Sequence, residues 1–258
     1  MTGPRILICN DDGIHAEGLQ TLARAAEPLG EVWIVAPASE QSAVSSAISL
    51  RHPLRVRETK VRAYSVSGTP TDCVYIALHH LLRDNRPDIL LSGINHGANL
   101  GDDVIYSGTV AAAIEATLSD IPSIAFSCAG KTPYPLEETT SHIQALSTFF
   151  LEQGMPRGVF MNVNFPATLF PESERKITKL GRRNYGRIVV EKRDPRHQSY
   201  YWLGGAELGF DDLPGSDLNA VAAGHISVTP VHLDLTHYRY LRELQAMPQF
   251  QTDKGIPS

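Results

Sequence analysis

The first half of the chain is built from short, unbroken runs of Ile, Leu and Val set between longer segments with helical spacing, and that alternation permits few folds. The runs cover residues 5–9, 32–36, 89–92 and 121–126. A strand wetted on one face alternates apolar and polar residues. These do not, which predicts strands buried on both faces. Between them, Leu19, Leu22, Ala23 and Ala26 share one face of a helix over 17–26. Val74, Ala77, Leu78 and Leu81 do the same over 70–82, where Thr69 suits the cap, Pro70 the first helical position and Asp72 the first turn. Residues 109–118, mostly Ala and Val, predict a helix that can lie close to a sheet, and 136–151 predict another, followed by a strand over 158–162. The fold class is therefore α/β, with a mostly parallel sheet covered on both faces.

The pattern changes after about Asn164. Pro166, Pro171, Pro195 and Pro214 punctuate the chain, and 188–192 and 200–203 predict strands with no helix between them. From Glu172 to His197 there are nine Lys and Arg against four Asp and Glu. This segment predicts an antiparallel arm or hairpin, whose plain reading is a solvated charged surface; of the two functional readings, a contact between subunits is favoured over a fence around an anionic site. A late strand over 226–229 and a short helix over 238–247 follow.

The net charge of −5 lacks the clustered positive surface that grips a nucleic acid polymer. Three cysteines with no paired spacing argue against a disulfide framework and fit a reducing, cytoplasmic setting. No apolar stretch has the length of a membrane span, so no membrane partner is expected.

In parallel sheets ligands bind beyond the carboxyl ends of the strands, which singles out four loops. The first is Asn10-Asp11-Asp12-Gly13. Two adjacent carboxylates repel each other unless a cation separates them, and a hard divalent ion prefers their oxygens. A polar turn with Asp as a helix cap is the plainer explanation. The second loop, 36–46, holds Ser39, Ser42, Ser45 and Ser46, whose hydroxyls suit a metal or a phosphate but also an ordinary polar connection. The third, 92–103, combines three glycines with Asn95, Asn99, Asp102 and Asp103. Glycine lets backbone approach a ligand, and an asparagine carbonyl is a neutral hard donor. The fourth is Tyr106-Ser107-Gly108-Thr109, at the start of the helix over 109–118, where free amides and the positive dipole end suit an anion. Simple capping explains Ser107 equally well. Together these loops describe metal-assisted phosphoryl hydrolysis, in which a cation polarises a phosphate oxygen and activates a water as nucleophile.

At these residues the chain resembles the survival protein SurE family of nucleotidases. The matching stretches are ILICNDDGIHAEGLQTLA, VAPASEQSAVS, GTPTDCV, LLSGINHGANLGDDVIYSGTVAAAIEA and, more weakly, GSDLNAVAAGHISVTP. The resemblance implies a Rossmann-like three-layer α/β/α sandwich. A core over 1–165 would be followed by a β-rich arm and C-terminal segment over 166–258 that packs on the core and on a neighbouring subunit of a homodimer or homotetramer. It implies hydrolysis of nucleoside 5′- and 3′-monophosphates and, in some members, short polyphosphate. It also implies one divalent metal per subunit, Mg²⁺ or Mn²⁺, on Asp11, Asp12, Ser42 and Asn95. The residues alone do not select Ser42 among four serines, or Asn95 over Asn99. The phosphate is then expected against Ser107, Gly108 and Thr109 with help from Asn99, and Asp11 or Asp12 orients or deprotonates the water. His15 and His96 are the histidines on site loops available as a general acid.

Three positions depart from the family pattern. Glu17 stands where proline is usual, and Ser216 stands where threonine is. Ala43 replaces a glycine, which puts backbone recognition of phosphate at position 43 in question. Two rival functions are a catalytically silent nucleotide sensor and an aspartyl-nucleophile phosphatase of the haloacid dehalogenase type. The latter needs its aspartates two residues apart, and here they are adjacent. Neither a G-x-G-x-x-G fingerprint after the first strand nor a Walker lysine loop is present.

Overall fold

In the computed structural model, which describes residues 3–130, 134–185, 188–204, 207–247 and 250, all four apolar runs become neighbours in one sheet. The strands are β1 (Arg5–Cys9), β2 (Glu31–Pro37), β3 (Val56–Lys60), β4 (Ala63–Val66), β5 (Ile89–His96), β6 (Ser123–Cys128) and β7 (Val159–Phe165). They continue with β8 (Arg175–Ile177), β9 (Arg183–Tyr185), β10 (Val189–Arg193), β11 (Ser199–Leu203), β12 (Glu207–Phe210) and β13 (Ile226–His232). The helices are α1 (Glu17–Ala26), α2 (Pro70–Ile76), α3 (Gly108–Leu118), α4 (Thr140–Gln153), α5 (Asp217–Ala222) and α6 (Tyr238–Gln245).

The main sheet runs β3-β4-β2-β1-β5-β6-β7-β13-β8. Its six central strands, β4 to β7 in that order, are parallel. β3 is antiparallel to β4, and β13 is antiparallel to β7. The side chains of β1 alternate between two separate cores. Ile6 and Ile8 pack with Leu19, Leu22, Ile143 and Leu146 of α1 and α4, whereas Leu7 and Cys9 pack with Cys73, Val74, Val110 and Ala113 of α2 and α3. That alternation makes three layers. Each such Leu or Ile, fully buried, contributes roughly 1.5–3 kcal/mol.

Helix α1 has the bounds expected, and Glu17 is exposed in its first turn, where an acid complements the helix dipole. The departure from proline there costs the fold nothing visible. α2 starts as predicted, with a reciprocal cap between Thr69 and Asp72. It is shorter than the periodicity suggested, because from Ala77 to Leu81 the chain continues as a wider π-type turn.

The largest difference concerns β5. It runs four residues past Ser92, so Asn95 lies on a strand end and not in the glycine-rich loop. Its pairing with β6 shifts between Ser92 and Asn95, an irregularity of the kind that re-aims a side chain. Gly93 sits there at φ +128°, and a Cβ would overlap the Phe126 carbonyl.

The arm pairs as predicted, β10 with β11 antiparallel. However, β13 and β8 join the main sheet beyond β7, so the segment after residue 165 also completes the core.

Candidate functional site

From β1 the sheet is built outward in both directions, with β2 on one side and β5 on the other. A crevice opens at such a switch point beyond the strand ends. The cavity found there is about 590 Å³. Asp11 and Asp12 line it from the loop after β1, with Glu40, Ser42 and Ala43 from the loop after β2. Asn95, His96, Ala98 and Asn99 come from the end of β5 and its loop, and Asp103, Tyr106 and Ser107 from the approach to α3. The four loops therefore meet at one place.

Asp11 is nearly fully buried over the start of α3. Thr109 donates its hydroxyl to Asp11 Oδ1. Gly108 lies so close that a Cβ there would stand 2.8 Å from Asp11 Cβ and 2.9 Å from Oδ2. Burial pushes the Asp11 carboxyl up from 3.8 to about 6, opposed by the Thr109 hydroxyl and reinforced by the charge of Asp12. Asp12 is raised too, chiefly by burial, with His96 opposing and Glu40 adding to the rise. One oxygen of Asp12, Oδ2, is buried with no hydrogen-bond partner.

This donor set fits a hard divalent cation. Two neighbouring carboxylates whose charged forms are disfavoured by burial gain from positive charge beside them, and an orphaned buried carboxylate oxygen needs a partner. Ser42 and Asn95 add neutral oxygens. The Ser42 hydroxyl donates to Glu40 Oε1 at 2.6 Å, which leaves its lone pairs available, and Asn95 Nδ2 donates to Gly97 O at 2.8 Å, which leaves Oδ1 for a ligand. Among the described residues no three His, Cys, Asp or Glu gather as a metal cluster, so these neutral oxygens would have to complete the shell.

The phosphate candidates divide. Asn99, Ser107 and Ala43 line the cavity. The Ser107 hydroxyl caps α3 by accepting from Val110 N at 3.1 Å. Thr109 is fully buried and its hydroxyl is engaged by Asp11, so its side chain supports a ligand candidate and does not face the cavity. Ala43 holds φ +56°, the left-handed region that glycine occupies without cost. Of the two histidines, His96 lines the cavity, stacked on Tyr134 with ring centroids 4.7 Å apart, and His15 does not.

Several residues near the site were not singled out from the sequence. Arg183, in the basic segment, pairs with Asp103 at 2.9 Å, and Tyr185 donates its hydroxyl to the same carboxylate. That part of the basic segment therefore touches a residue that lines the cavity. Asp217 is fully buried and accepts from Gly101 N at 2.8 Å and Gly181 N at 2.7 Å, which ties α5 to the glycine-rich loop. Asn162 and Asn164 of β7 both bond to Asn99. Two asparagines two apart in an otherwise apolar strand were the available signal, since they share one face.

The model of the family described as survival protein SurE matches residues 6–187. A protein of Myxococcus xanthus named 5′-nucleotidase SurE is 48% identical over 241 residues, covering 93% of this chain and 92% of that one. One of the same name from an Anaeromyxobacter species is 50% identical over 257 residues, covering 98% and 100%. The crystal structure of the SurE protein from Aquifex aeolicus superposes with a TM-score of 0.85 at 38% identity, over 94% of this chain and 98% of that one. Similarity of this extent makes this chain a member of the survival protein SurE family.

Proposed function

We propose that this chain is a 5′-nucleotidase. It removes phosphate from nucleoside 5′-monophosphates and also from 3′-monophosphates, with one Mg²⁺ or Mn²⁺ held by Asp11, Asp12, Ser42 and Asn95. The observation that carries the reading is the pair of adjacent carboxylates, Asp11 buried and Asp12 half-buried, both with raised pKa, the second with a buried unpartnered oxygen. The name 5′-nucleotidase borne by full-length relatives supports the substrate class. When bound, the cation supplies Lewis acidity toward a phosphate oxygen and lowers the pKa of water. The protein's own groups do the rest. Thr109 holds Asp11 in place and eases its ionisation. Asn99, Ser107 and the backbone at Ala43 and Gly108 seat the phosphate against the start of α3, whose dipole favours negative charge. Asp11 or Asp12 takes the proton of the attacking water.

The test is phosphate release over a panel of nucleoside mono- and polyphosphates, with chelator and with Mg²⁺ or Mn²⁺ added back. Release is expected from monophosphates, lost on chelation and restored by metal. Turnover that survives exhaustive chelation would sink the metal assignment. A tight nucleotide complex with no release would favour a silent sensor.

We infer further that the arm packs on a neighbouring subunit in a homodimer or homotetramer. The β10–β11 hairpin pairs only with itself among the described residues, and it exposes Val189, Trp202 and Leu203. Helix α6 buries no residue at all. A two-stranded hairpin with apolar faces is not stable alone in water. Light scattering that returned the 28.2 kDa monomer mass at micromolar concentration would refute this. The three cysteines are buried and free, which suits the cytoplasmic setting we assign. No helix among the described residues is long and apolar enough to cross a membrane.

A further inference from the structure

Beneath the glycine-rich loop, three buried polar side chains converge on Asn99. Asn164 clamps its backbone from both sides: Oδ1 accepts from Asn99 N at 2.8 Å, and Nδ2 donates to Asn99 O at 3.0 Å. Asn162 Nδ2 donates to the same carbonyl at 2.8 Å. Ser127 Oγ, on β6, accepts from Asn99 Nδ2 at 2.7 Å. Ser127, Asn162 and Asn164 are all fully buried. The strands bring them together, since Ser127 and Asn164 are cross-strand partners and Asn162 and Asn164 share a face of β7.

A loop that leaves the sheet and is then buried must satisfy its backbone groups. Asn164 alone does that for Asn99, so satisfaction of the backbone explains one of the three contacts. Asn162 duplicates the bond to the carbonyl and leaves its own Oδ1 buried without a partner, which is unfavourable. The Ser127 hydroxyl bonds the Asn99 side chain, not its backbone. It fixes the Asn99 side chain, and so sets which amide hydrogen and which oxygen face the cavity that Asn99 lines. This network constrains Asn99 beyond what folding of the loop requires.

We propose that Ser127, Asn162 and Asn164 are positioning residues that hold the Asn99 amide against the substrate phosphate. This rests on the phosphohydrolase reading above, because it gives Asn99 a phosphoryl oxygen to meet. The network sets the loop height through the carbonyl and the side-chain direction through Ser127. The effective geometry of a phosphate site tolerates small errors poorly, and misplacement of a binding group by about 1 Å can cost on the order of a hundredfold in rate.

The experiment compares Ser127→Ala, Asn162→Ala, Asn99→Ala and the double variant Ser127→Ala/Asn99→Ala with the unaltered full chain. Two quantities are measured in the presence of Mn²⁺: the Kd for inorganic phosphate, by calorimetry, and KM and kcat for a nucleoside 5′-monophosphate. Thermal melting controls for folding. The variant Ser123→Ala serves as a structural control, since it removes a fully buried hydroxyl, bonded to Ile121 O at 2.8 Å, at the opposite end of β6 from Ser127. The single variants are expected to raise the phosphate Kd and the KM by about tenfold. Ser127→Ala should have little further effect once Asn99 is Ala, and the control should stay within about twofold. Equal losses from Ser127→Ala with and without the Asn99 side chain would overturn the proposal, as would a phosphate Kd unchanged in both Ser127→Ala and Asn162→Ala. The phosphate Kd is read independently of turnover. A chain that binds phosphate with this coupling but hydrolyses no nucleotide would refute the nucleotidase reading and support this one.

Discussion

Thr109, the second residue of α3, donates its hydroxyl hydrogen bond to Asp11, the first aspartate after β1. The bond joins two segments 98 residues apart in the chain. It also makes the start of α3 a support for the metal candidate as well as the proposed anion site. The hydroxyl favours the ionised carboxylate, so it works against the burial that raises Asp11.

Thr109→Val keeps the shape and removes that proton. Asp11 then moves still higher, and protons compete better with metal. Mn²⁺ affinity at neutral pH is expected to fall about tenfold or more, the worth of one charge-assisted hydrogen bond of roughly 1.5–3 kcal/mol. The acid limb of the activity profile should shift to higher pH. Calorimetric titration and a pH–rate series check both, and an unshifted limb would contradict the role given to Thr109.

The metal-free protein should show the cost of Asp11 directly. Its folded form keeps the proton up to about pH 6, whereas an unfolded chain loses it near 3.8. Between those values the folded state binds more protons, so stability is highest below the lower value and falls as pH rises through the upper one. The full penalty above pH 6 is on the order of 3 kcal/mol. Asp11→Asn removes it. Its metal-free Tm at pH 8 is expected to exceed that of the unaltered chain, while Mn²⁺ no longer raises Tm and hydrolysis is abolished. A lower Tm, or near-normal turnover, would count against the assignment.

Ala43 at φ +56° carries a left-handed backbone with a Cβ attached. The strain is worth about 1–2 kcal/mol, partly offset in Ala43→Gly by the greater freedom of the unfolded chain. Stability should rise slightly, by up to about 1 kcal/mol, in a urea titration. A clear loss would mean that the methyl makes a compensating contact.

Arg183→Ala removes the guanidinium beside Asp103 at the cavity edge, where both side chains are largely shielded from water. The rim becomes more negative toward an anionic substrate. KM should rise several-fold with little change in kcat, more so at low salt, as screening predicts. Steady-state kinetics at low and high ionic strength decide it, and an effect on kcat alone would assign Arg183 a different part.

Much of the fold is legible in local sequence because its physical causes are local. The apolar runs at 5–9 and 89–92 can only be comfortable with helices on both faces, and the cap at Thr69, Pro70 and Asp72 fixes a helix start from within four residues. β3 escaped because all five of its residues are exposed and mostly polar, so nothing in its composition separates it from a loop. β5 looked four residues too short because Gly93 and Asn95 lack strand propensity, and cross-strand pairing overrode it.

The site divides the same way. Adjacent carboxylates after a first strand, and a Ser-Gly-Thr helix start, declare their chemistry from residue type and position alone. Which serine and which asparagine join them depends on loops meeting across the sheet, and spacing along the chain carries no such distance. Only the tertiary structure decided that Asn95 stands at a strand end beside the cavity and that Thr109 serves Asp11. The same is true of Asn162 and Asn164, which belong to the site through a loop more than sixty residues away in the chain. Those are side-chain hydrogen bonds between distant segments, formed only once the sheet has set their register.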